Sequence, residues 1–149
     1  MLTGKDYCDY DTCVALKELG YKVPTSAYYM PKKSQLIFVI NQFRGGAAMD
    51  CFYSNNSLPK ECMASDFIDA PTMWEAQKWL REEKKIDVFV RAGYLGKNRV
   101  RHYFVEVFTS KNVITLDNDR EDYDSYEEAL SEGIKEAIKF LEKNETIHE

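Results

Sequence analysis

The sequence predicts an α+β fold in which helices cover an antiparallel sheet, in the order α-β-β-α-β-β-β-α. Three observations indicate this fold. Residues 72–84 and 125–142 repeat apolar side chains at helical spacing, and each segment begins with a capping box. Residues 86–91 alternate along the chain in the manner of a strand. In the N-terminal half, two aromatic and aliphatic runs flank a Pro-Lys-Lys-Ser turn, which is typical of a hairpin.

The first helix is predicted for the segment DTCVALKELG. Asp11 is the expected N-cap, and Gly20 is expected at the left-handed position that follows a helix. Cys13, Leu16 and Leu19 recur at three-residue spacing and form the buried stripe.

A hairpin is predicted after this helix, followed by a long connection. SAYYM (26–30) and QLIFVINQF (35–43) are its strands, and residues 31–34 are its turn. Residues 44–69 show no sustained period and read as the connection, with a short strand at Cys51–Tyr53. Loops of this length are uncommon inside compact domains, so the connection is either functional or hides a further element.

Two helices are predicted in the second half. The first begins with Thr72 as N-cap and Glu75 three residues later, and the second repeats this pattern with Ser125 and Glu128. The tail at 143–149 is expected to be flexible. The buried stripe of the first of these helices comprises Met73, Ala76, Trp79 and Leu80, and that of the second comprises Tyr126, Leu130, Ile134, Ala137, Ile138 and Leu141.

A three-stranded meander is predicted between these helices. Its strands lie at 86–93, 100–108 and 113–116, and the first turn has Gly96 and Asn98 at its special positions. Both faces of the long strand carry apolar groups, so we expect both faces to be covered at least in part. One face has Val100, His102, Phe104 and Phe108, and the other has Arg99, Arg101, Tyr103, Val105 and Val107.

Length and charge limit the function classes. The 149 residues predict a single α+β domain, and the net charge of −5 gives no general attraction to phosphate backbones or anionic lipid. No signal-peptide or membrane-spanning run is present in the sequence, so we expect a cytoplasmic protein that does not contact a membrane. Its four cysteines are then expected to be thiols.

The sequence shows little that indicates chemistry. The segment YCDYDTC has four residues between Cys8 and Cys13, and ten residues lie between Cys51 and Cys62. Both spacings fit a zinc site poorly. We prefer to interpret this segment as the residues that lead into the first helix. Nucleophilic catalysis needs a positioned base, and His102 lies within a strand. We therefore expect no catalytic residue, metal or cofactor, although a small cysteine- or metal-dependent enzyme remains an alternative.

One basic cluster is a candidate binding site at the first hairpin of the meander. Arginine and tyrosine together are typical of interface hot spots, and they also suit stacking on single-stranded nucleic acid. The alternative is that the charges only keep the hairpin tip soluble. The candidate residues are Arg91, Tyr94, Lys97, Arg99, Arg101 and Tyr103.

Several segments together resemble a known group of proteins. CVALKELGY, the Tyr-Tyr pair, IDAPTMWEAQKWLREEKKIDVFV and DSYEEALSEGIKEAIKFLE are similar to stretches of small uncharacterised proteins encoded in phage and prophage regions of gut bacteria. The shared order covers most of the chain. The resemblance implies an accessory protein of a mobile element, and it implies no activity or site residue.

These observations favour a non-enzymatic protein-interaction module as the function. The second apolar sheet face and the many aromatic rings indicate self-association into a homodimer or binding to a protein partner. Nucleic-acid or nucleotide binding through the Arg/Tyr-rich hairpin at 91–103 is the alternative.

Overall fold

The structure is a computed structural model that describes residues 3–30, 35–38, 68–115 and 122–147. The fold is α+β, as predicted. The chain divides into two compact units, one formed by residues 9–71 and the other by residues 1–8 together with 72–149. The prediction of one domain over 1–149 stays a prediction.

The predicted order of elements is confirmed, with one further strand. A short 3-10 helix spans Gly4–Asp6. The helices are α1 (Tyr10–Glu18), α2 (Met73–Glu83) and α3 (Tyr126–Ile147), and the strands are β1 (Ala27–Met30), β2 (Gln35–Phe38), β3 (Ile68–Asp69), β4 (Asp87–Leu95), β5 (Val100–Phe108) and β6 (Val113–Thr115). The predicted turn at 31–34 and the predicted strand at Cys51–Tyr53 lie outside the described residues.

The N-cap of helix α1 lies two residues before the predicted cap. Asp9 is the N-cap, and its Oδ1 accepts a hydrogen bond of 2.8 Å from the backbone N–H of Thr12. Asp11, the predicted cap, lies inside the first turn. An acidic residue in the first turn also favours a helix, because it interacts with the helix dipole, so the two positions give similar sequence signals.

The end of α1 is as predicted. Gly20 adopts a φ of +99°, a left-handed conformation that glycine enters without steric cost. Its N–H donates to Lys17 O at 3.1 Å, and the N–H of Tyr21 donates to Leu16 O at 2.9 Å. These two bonds form a Schellman motif, which satisfies carbonyl groups that the helix end leaves open.

The unit of residues 9–71 contains a three-stranded antiparallel sheet in the order β2-β1-β3. Tyr28 of β1 pairs with Ile37 of β2 and with Asp69 of β3. The hairpin is therefore confirmed over its described residues. Strand β3 lies in the segment predicted as a connection, and its two residues are too few to show a strand period in the sequence.

Helix α2 has both bonds of its predicted capping box. Thr72 Oγ1 accepts from the N–H of Glu75 at 3.2 Å, and Glu75 Oε1 accepts from the N–H of Thr72 at 3.4 Å. The predicted stripe is confirmed as well, because Met73, Ala76, Trp79 and Leu80 are all buried.

Strands β4, β5 and β6 form the predicted antiparallel meander. β4 and β5 pair over nine residues each, from Asp87 with Phe108 to Leu95 with Val100. In the turn, Gly96 has a φ of +77°, as predicted, but the second residue with positive φ is Arg99 (+51°). The prediction for Asn98 is therefore wrong. The pair Leu95–Val100 closes a four-residue loop, and the last residue of that loop, Arg99, adopts the positive φ instead.

Helix α3 begins at the predicted cap, where Ser125 Oγ accepts from the N–H of Glu128 at 3.1 Å. The predicted end at residue 142 is too early, because the helix runs on to Ile147. The residues after Leu141 lack an apolar stripe, but they include no glycine or proline that would stop a helix.

Helices α2 and α3 both lie against the meander, and α3 contacts all three of its strands. Gly133 of α3 faces the sheet so closely that a Cβ atom there would lie 2.5 Å from Val105 Cγ2 and 2.6 Å from Val88 Cγ1. We name this covered side of the sheet the inner face. Its buried side chains include Val88, Val105 and Val107, opposed by Leu130, Ile134 and Ala137 of α3.

The close approach at Gly133 gives a stability prediction. Gly133→Ala is expected to lower the free energy of unfolding by about 1–3 kcal/mol, because overpacking outweighs the roughly 1 kcal/mol that alanine gains in a helix. Urea denaturation measures the change. Lys139→Ala, on the exposed side of α3, is the control and should stay within about 0.5 kcal/mol of wild type. An alanine variant at 133 that is as stable as wild type would contradict the close contact.

Candidate interaction surface

The strand register assigns the side chains of the meander to two faces. Residues paired across an antiparallel ladder share a face, so the set opposite the inner face follows from the pairing. We name it the outer face. It comprises Asp87, Phe89, Arg91, Gly93 and Leu95 of β4, Val100, His102, Phe104, Glu106 and Phe108 of β5, and Val113 of β6.

The outer face is apolar and exposed. The exposed fractions are 53% for Phe89, 44% for Leu95, 53% for Val100 and 59% for Val113. With Phe108, these side chains present roughly 400–500 Å² of apolar area in total. The register divides this area between Leu95 and Val100 at the tip of the hairpin and Phe89, Phe108 and Val113 at its base. The expected cover is partial on this face: His102, Phe104 and Glu106 are half-buried, whereas the apolar side chains above are exposed.

An aromatic stack occupies the middle of the outer face. The Phe104 ring lies over Gly93, where a Cβ atom would come within 2.8 Å of its Cε2. The guanidinium carbon of Arg91 lies 5.2 Å from the centroid of the same ring, a cation–π distance. Arg91 therefore extends along the apolar face with its charge close to Phe104.

His102 forms a close pair at the border of the outer face. Its Nδ1 lies 2.6 Å from Oδ2 of Asp122; the His102 side chain is partly buried and that of Asp122 is exposed. Asp122 lies in the segment that leads into α3, whose described residues begin at 122. His102 thus lies in packed surroundings beside a carboxylate, which agrees with its interpretation as a structural or interface residue.

The predicted basic cluster is divided by the structure. The strand register places Tyr94, Arg101 and Tyr103 on the same side of the sheet as the inner face, near the tip of the hairpin. The turn itself contains Lys97 and Arg99, whereas Arg91 lies on the outer face. We name the first group, with Arg99, the tip stack. It comprises Tyr94, Arg99, Arg101 and Tyr103.

The tip stack contains two cation–π contacts. The guanidinium carbon of Arg99 lies 5.6 Å from the Tyr94 ring, and that of Arg101 lies 5.2 Å from the Tyr103 ring. Tyr94 and Arg101 are direct cross-strand partners. Tyr103 also packs edge-on against Tyr126 at the start of α3, with ring centroids 6.1 Å apart. The structure therefore brings four of the six predicted residues together.

The cysteines do not form a metal site in the part of the chain that is described. Cys8 and Cys13 are buried thiols, and Cys51 and Cys62 lie outside the described residues. No group of three or more His, Cys, Asp or Glu side chains within the described ranges is placed to hold a metal ion. The segment YCDYDTC is confirmed as the approach to a helix, since Asp9 caps α1.

A small pocket lies in the unit of residues 9–71. Its volume is about 330 Å³, and its lining comprises Cys13, Lys17, Tyr21, Lys22 and Asp69. Burial raises the pKa of Asp69 above the ordinary value of 3.8, and the nearby positive charge of Lys17 opposes part of this increase. This pocket was not predicted, because Asp69 belongs to the two-residue strand β3, which is too short to show a strand period in the sequence.

Comparisons with known protein families, with curated proteins and with solved structures found no match. Within the described residues, no helix is both long enough and apolar enough to cross a membrane.

The raised pKa of Asp69 predicts a pH-dependent stability. The folded state retains the proton at pH values where the unfolded chain has lost it, so the contribution of Asp69 is most favourable below pH 3.8 and is lost as the pH rises through the folded pKa. Asp69→Asn is therefore expected to raise the free energy of unfolding at pH 7 and to change it much less at about pH 3.5.

Urea denaturation at the two pH values measures this difference. The exposed Asp11→Asn, in the first turn of α1, is the control and should destabilise slightly at pH 7 because it removes a favourable charge near the helix N-terminus. An Asp69→Asn variant that is destabilised at pH 7 would contradict the burial argument.

Proposed function

We propose that this protein is a non-enzymatic interaction module that self-associates through the outer face. The observation that carries the proposal is the exposure of Phe89, Leu95 and Val100 on a sheet whose opposite face is buried where α3 packs on it. Large exposed apolar patches mark interaction sites, because leaving them in water costs roughly 25 cal/mol for each Å². The phage or prophage origin implied by the resemblance remains a prediction alongside it.

A second copy of the chain is the occupant that the surface favours. The outer face carries both charge signs, with Arg91 on β4 and Glu106 on β5, so it complements itself electrostatically in a two-fold arrangement. Its apolar area of roughly 400–500 Å² is about half of the 800 Å² that a standard interface buries on each partner, and the polar rim supplies the rest.

The test is the mass of the protein in solution. Wild type is expected at about twice the chain mass of 17.4 kDa by size-exclusion chromatography with light scattering. Phe89→Glu should reduce the mass to that of the single chain, because it places a charge in the apolar patch. Val23→Glu is the matched control: Val23 is 46% exposed and lies outside the meander, so this variant should keep the wild-type mass. A wild type that stays monomeric at all concentrations would refute self-association.

A second candidate function is binding of single-stranded nucleic acid at the tip stack. Tyr94 is 58% exposed, and a guanidinium that lies over a ring keeps hydrogen-bond donors at its edge for phosphate. A base could stack on the same platform. The net charge of −5 opposes binding elsewhere on the chain, so this contact should depend strongly on salt.

A gel-shift titration with single-stranded DNA tests this candidate. Wild type should retard the oligonucleotide at low salt, and the double variant Arg99→Glu, Arg101→Glu should not, because the reversed charges repel phosphate. The double variant Lys139→Glu, Lys143→Glu makes the same change in net charge on α3 and should bind like wild type. Equal retardation by the two double variants would exclude the tip stack as the site.

A further inference from the structure

Strand β4 is an edge of the meander, since the strand order is β4-β5-β6. The direction in which the N–H and C=O groups of β4 point can be derived from the hydrogen bonds of its neighbour β5. Tyr103 of β5 exchanges two backbone hydrogen bonds with Tyr123, of 2.9 and 2.8 Å, so its N–H and C=O point away from β4. Backbone groups alternate in direction along a strand, and the neighbours His102 and Phe104 therefore point towards β4.

The same alternation determines which residues of β4 direct their N–H and C=O groups towards β5 and which direct them away from it. Gly93 and Arg91 are the partners of His102 and Phe104, so their backbone groups bond to β5. The residues between them, Val90, Ala92 and Tyr94, consequently direct their N–H and C=O groups out of the sheet at its free edge.

An independent contact supports this assignment. Gln77 of α2 donates from Nε2 to the carbonyl oxygen of Val88 at 2.7 Å, so the outward carbonyl at this position is already satisfied. Within the described residues, the backbone groups that Val90, Ala92 and Tyr94 direct to this edge accept and donate no hydrogen bond. The helix thus satisfies the edge at its beginning, and no other described residue satisfies the part from Val90 to Tyr94.

The open part of β4 lacks the features that usually protect an edge. Natural edge strands are short, bulged or interrupted by proline or several charges. Here the ladder with β5 is continuous over nine residues, contains no proline, and has Arg91 as its one charged residue between Val88 and Leu95. Ala92 and Tyr94 are both exposed, so a further strand can approach.

We infer that two copies of this chain join edge to edge, with β4 antiparallel to β4 around a two-fold axis at Ala92. This inference rests on the proposed self-association and specifies its geometry. The two three-stranded meanders become one continuous sheet. Val90 pairs with Tyr94 of the second copy, and Ala92 pairs with its own counterpart, so that all the open backbone groups from Val90 to Tyr94 find partners.

The side chains select this register. On the outer face it places Phe89 beside Leu95 of the second copy and Arg91 beside Gly93 of the second copy. A two-fold axis at Arg91 would instead set two arginines directly opposite each other, which is destabilising. An axis at Gly93 would pair Val90 with Gly96, which lies in the turn with a positive φ and outside the strand.

Edge pairing uses only the β4 margin of the outer face, where Phe89 and Leu95 meet their counterparts. Val100 and Val113, on β5 and β6, lie outside this contact. The inference therefore narrows the proposed contact from the whole outer face to the β4 edge and the side chains beside it.

The first test removes one outward N–H group. Ala92→Pro deletes a donor that β5 does not use, and proline is tolerated on edge strands, so the hairpin should form while pairing between copies is lost. Light scattering should then give the single-chain mass, with a far-UV circular dichroism spectrum like that of wild type. Ala92→Val keeps the N–H and should remain dimeric.

The second test does not depend on the proline variant being folded. In a hydrogen-bonded antiparallel pair the two Cα atoms lie about 5.5 Å apart, which is suitable for a disulfide. Mild oxidation of Ala92→Cys should therefore give a covalent dimer in high yield. Wild type, with its own four cysteines, and Val113→Cys on the opposite edge strand are the controls and should give little.

The outcomes separate the two proposals. A folded Ala92→Pro variant that stays dimeric, while Phe89→Glu is monomeric, overturns edge pairing and leaves self-association standing. Cross-linking of Ala92→Cys no greater than that of Val113→Cys also overturns edge pairing. A monomeric wild type overturns both.

Discussion

The contact of α3 with the inner face through Gly133 is the constraint on which the rest of the meander depends. The absence of a side chain at this position lets the helix backbone approach Val88 and Val105 so closely that one further carbon atom would not fit. Helix α2 packs on the same unit with its own buried stripe. Helix α3 thus covers the inner face, whereas Phe89, Leu95, Val100 and Val113 of the outer face remain exposed.

The same one-sided cover accounts for the open edge. Helix α2 reaches the edge of β4 at Val88, where Gln77 satisfies one carbonyl group, but the hairpin continues to Leu95. Beyond Val90 the ribbon is exposed on both sides, and the Arg–Tyr contacts of the tip stack order its end. A surface of this kind has backbone donors, apolar side chains and both charge signs, and these groups are the basis of the proposed recognition of another chain.

Local signals predicted most of the fold. Thr72 with Glu75 placed the start of α2, Gly20 placed the end of α1, and the strand at 100–108 was predicted to the residue, because caps, left-handed positions and long strands depend on neighbours in sequence. The errors have local causes too. Asp9 and Asp11 are both plausible at the start of a helix, and α3 passes beyond its apolar stripe because no residue stops it.

The surface was less predictable, because it depends on which face the helices choose. The sequence shows apolar residues on both faces of β5 but does not show that one face stays exposed. The Arg/Tyr cluster was found from its composition, whereas the separation of Arg91 from the tip stack requires the strand register. Likewise, the pocket beside Asp69 depends on β3, whose pairing with β1 is not visible in two residues.

Amide hydrogen exchange at Val90, Ala92 and Tyr94, followed residue by residue at several protein concentrations, tests the central claim most directly. The account predicts that these three amides exchange rapidly in dilute protein and become protected together as the concentration rises, because a second β4 strand then accepts their hydrogen bonds. The amide of Arg91, which bonds to β5, should be protected throughout. Rapid exchange of the three amides at every concentration would contradict the account.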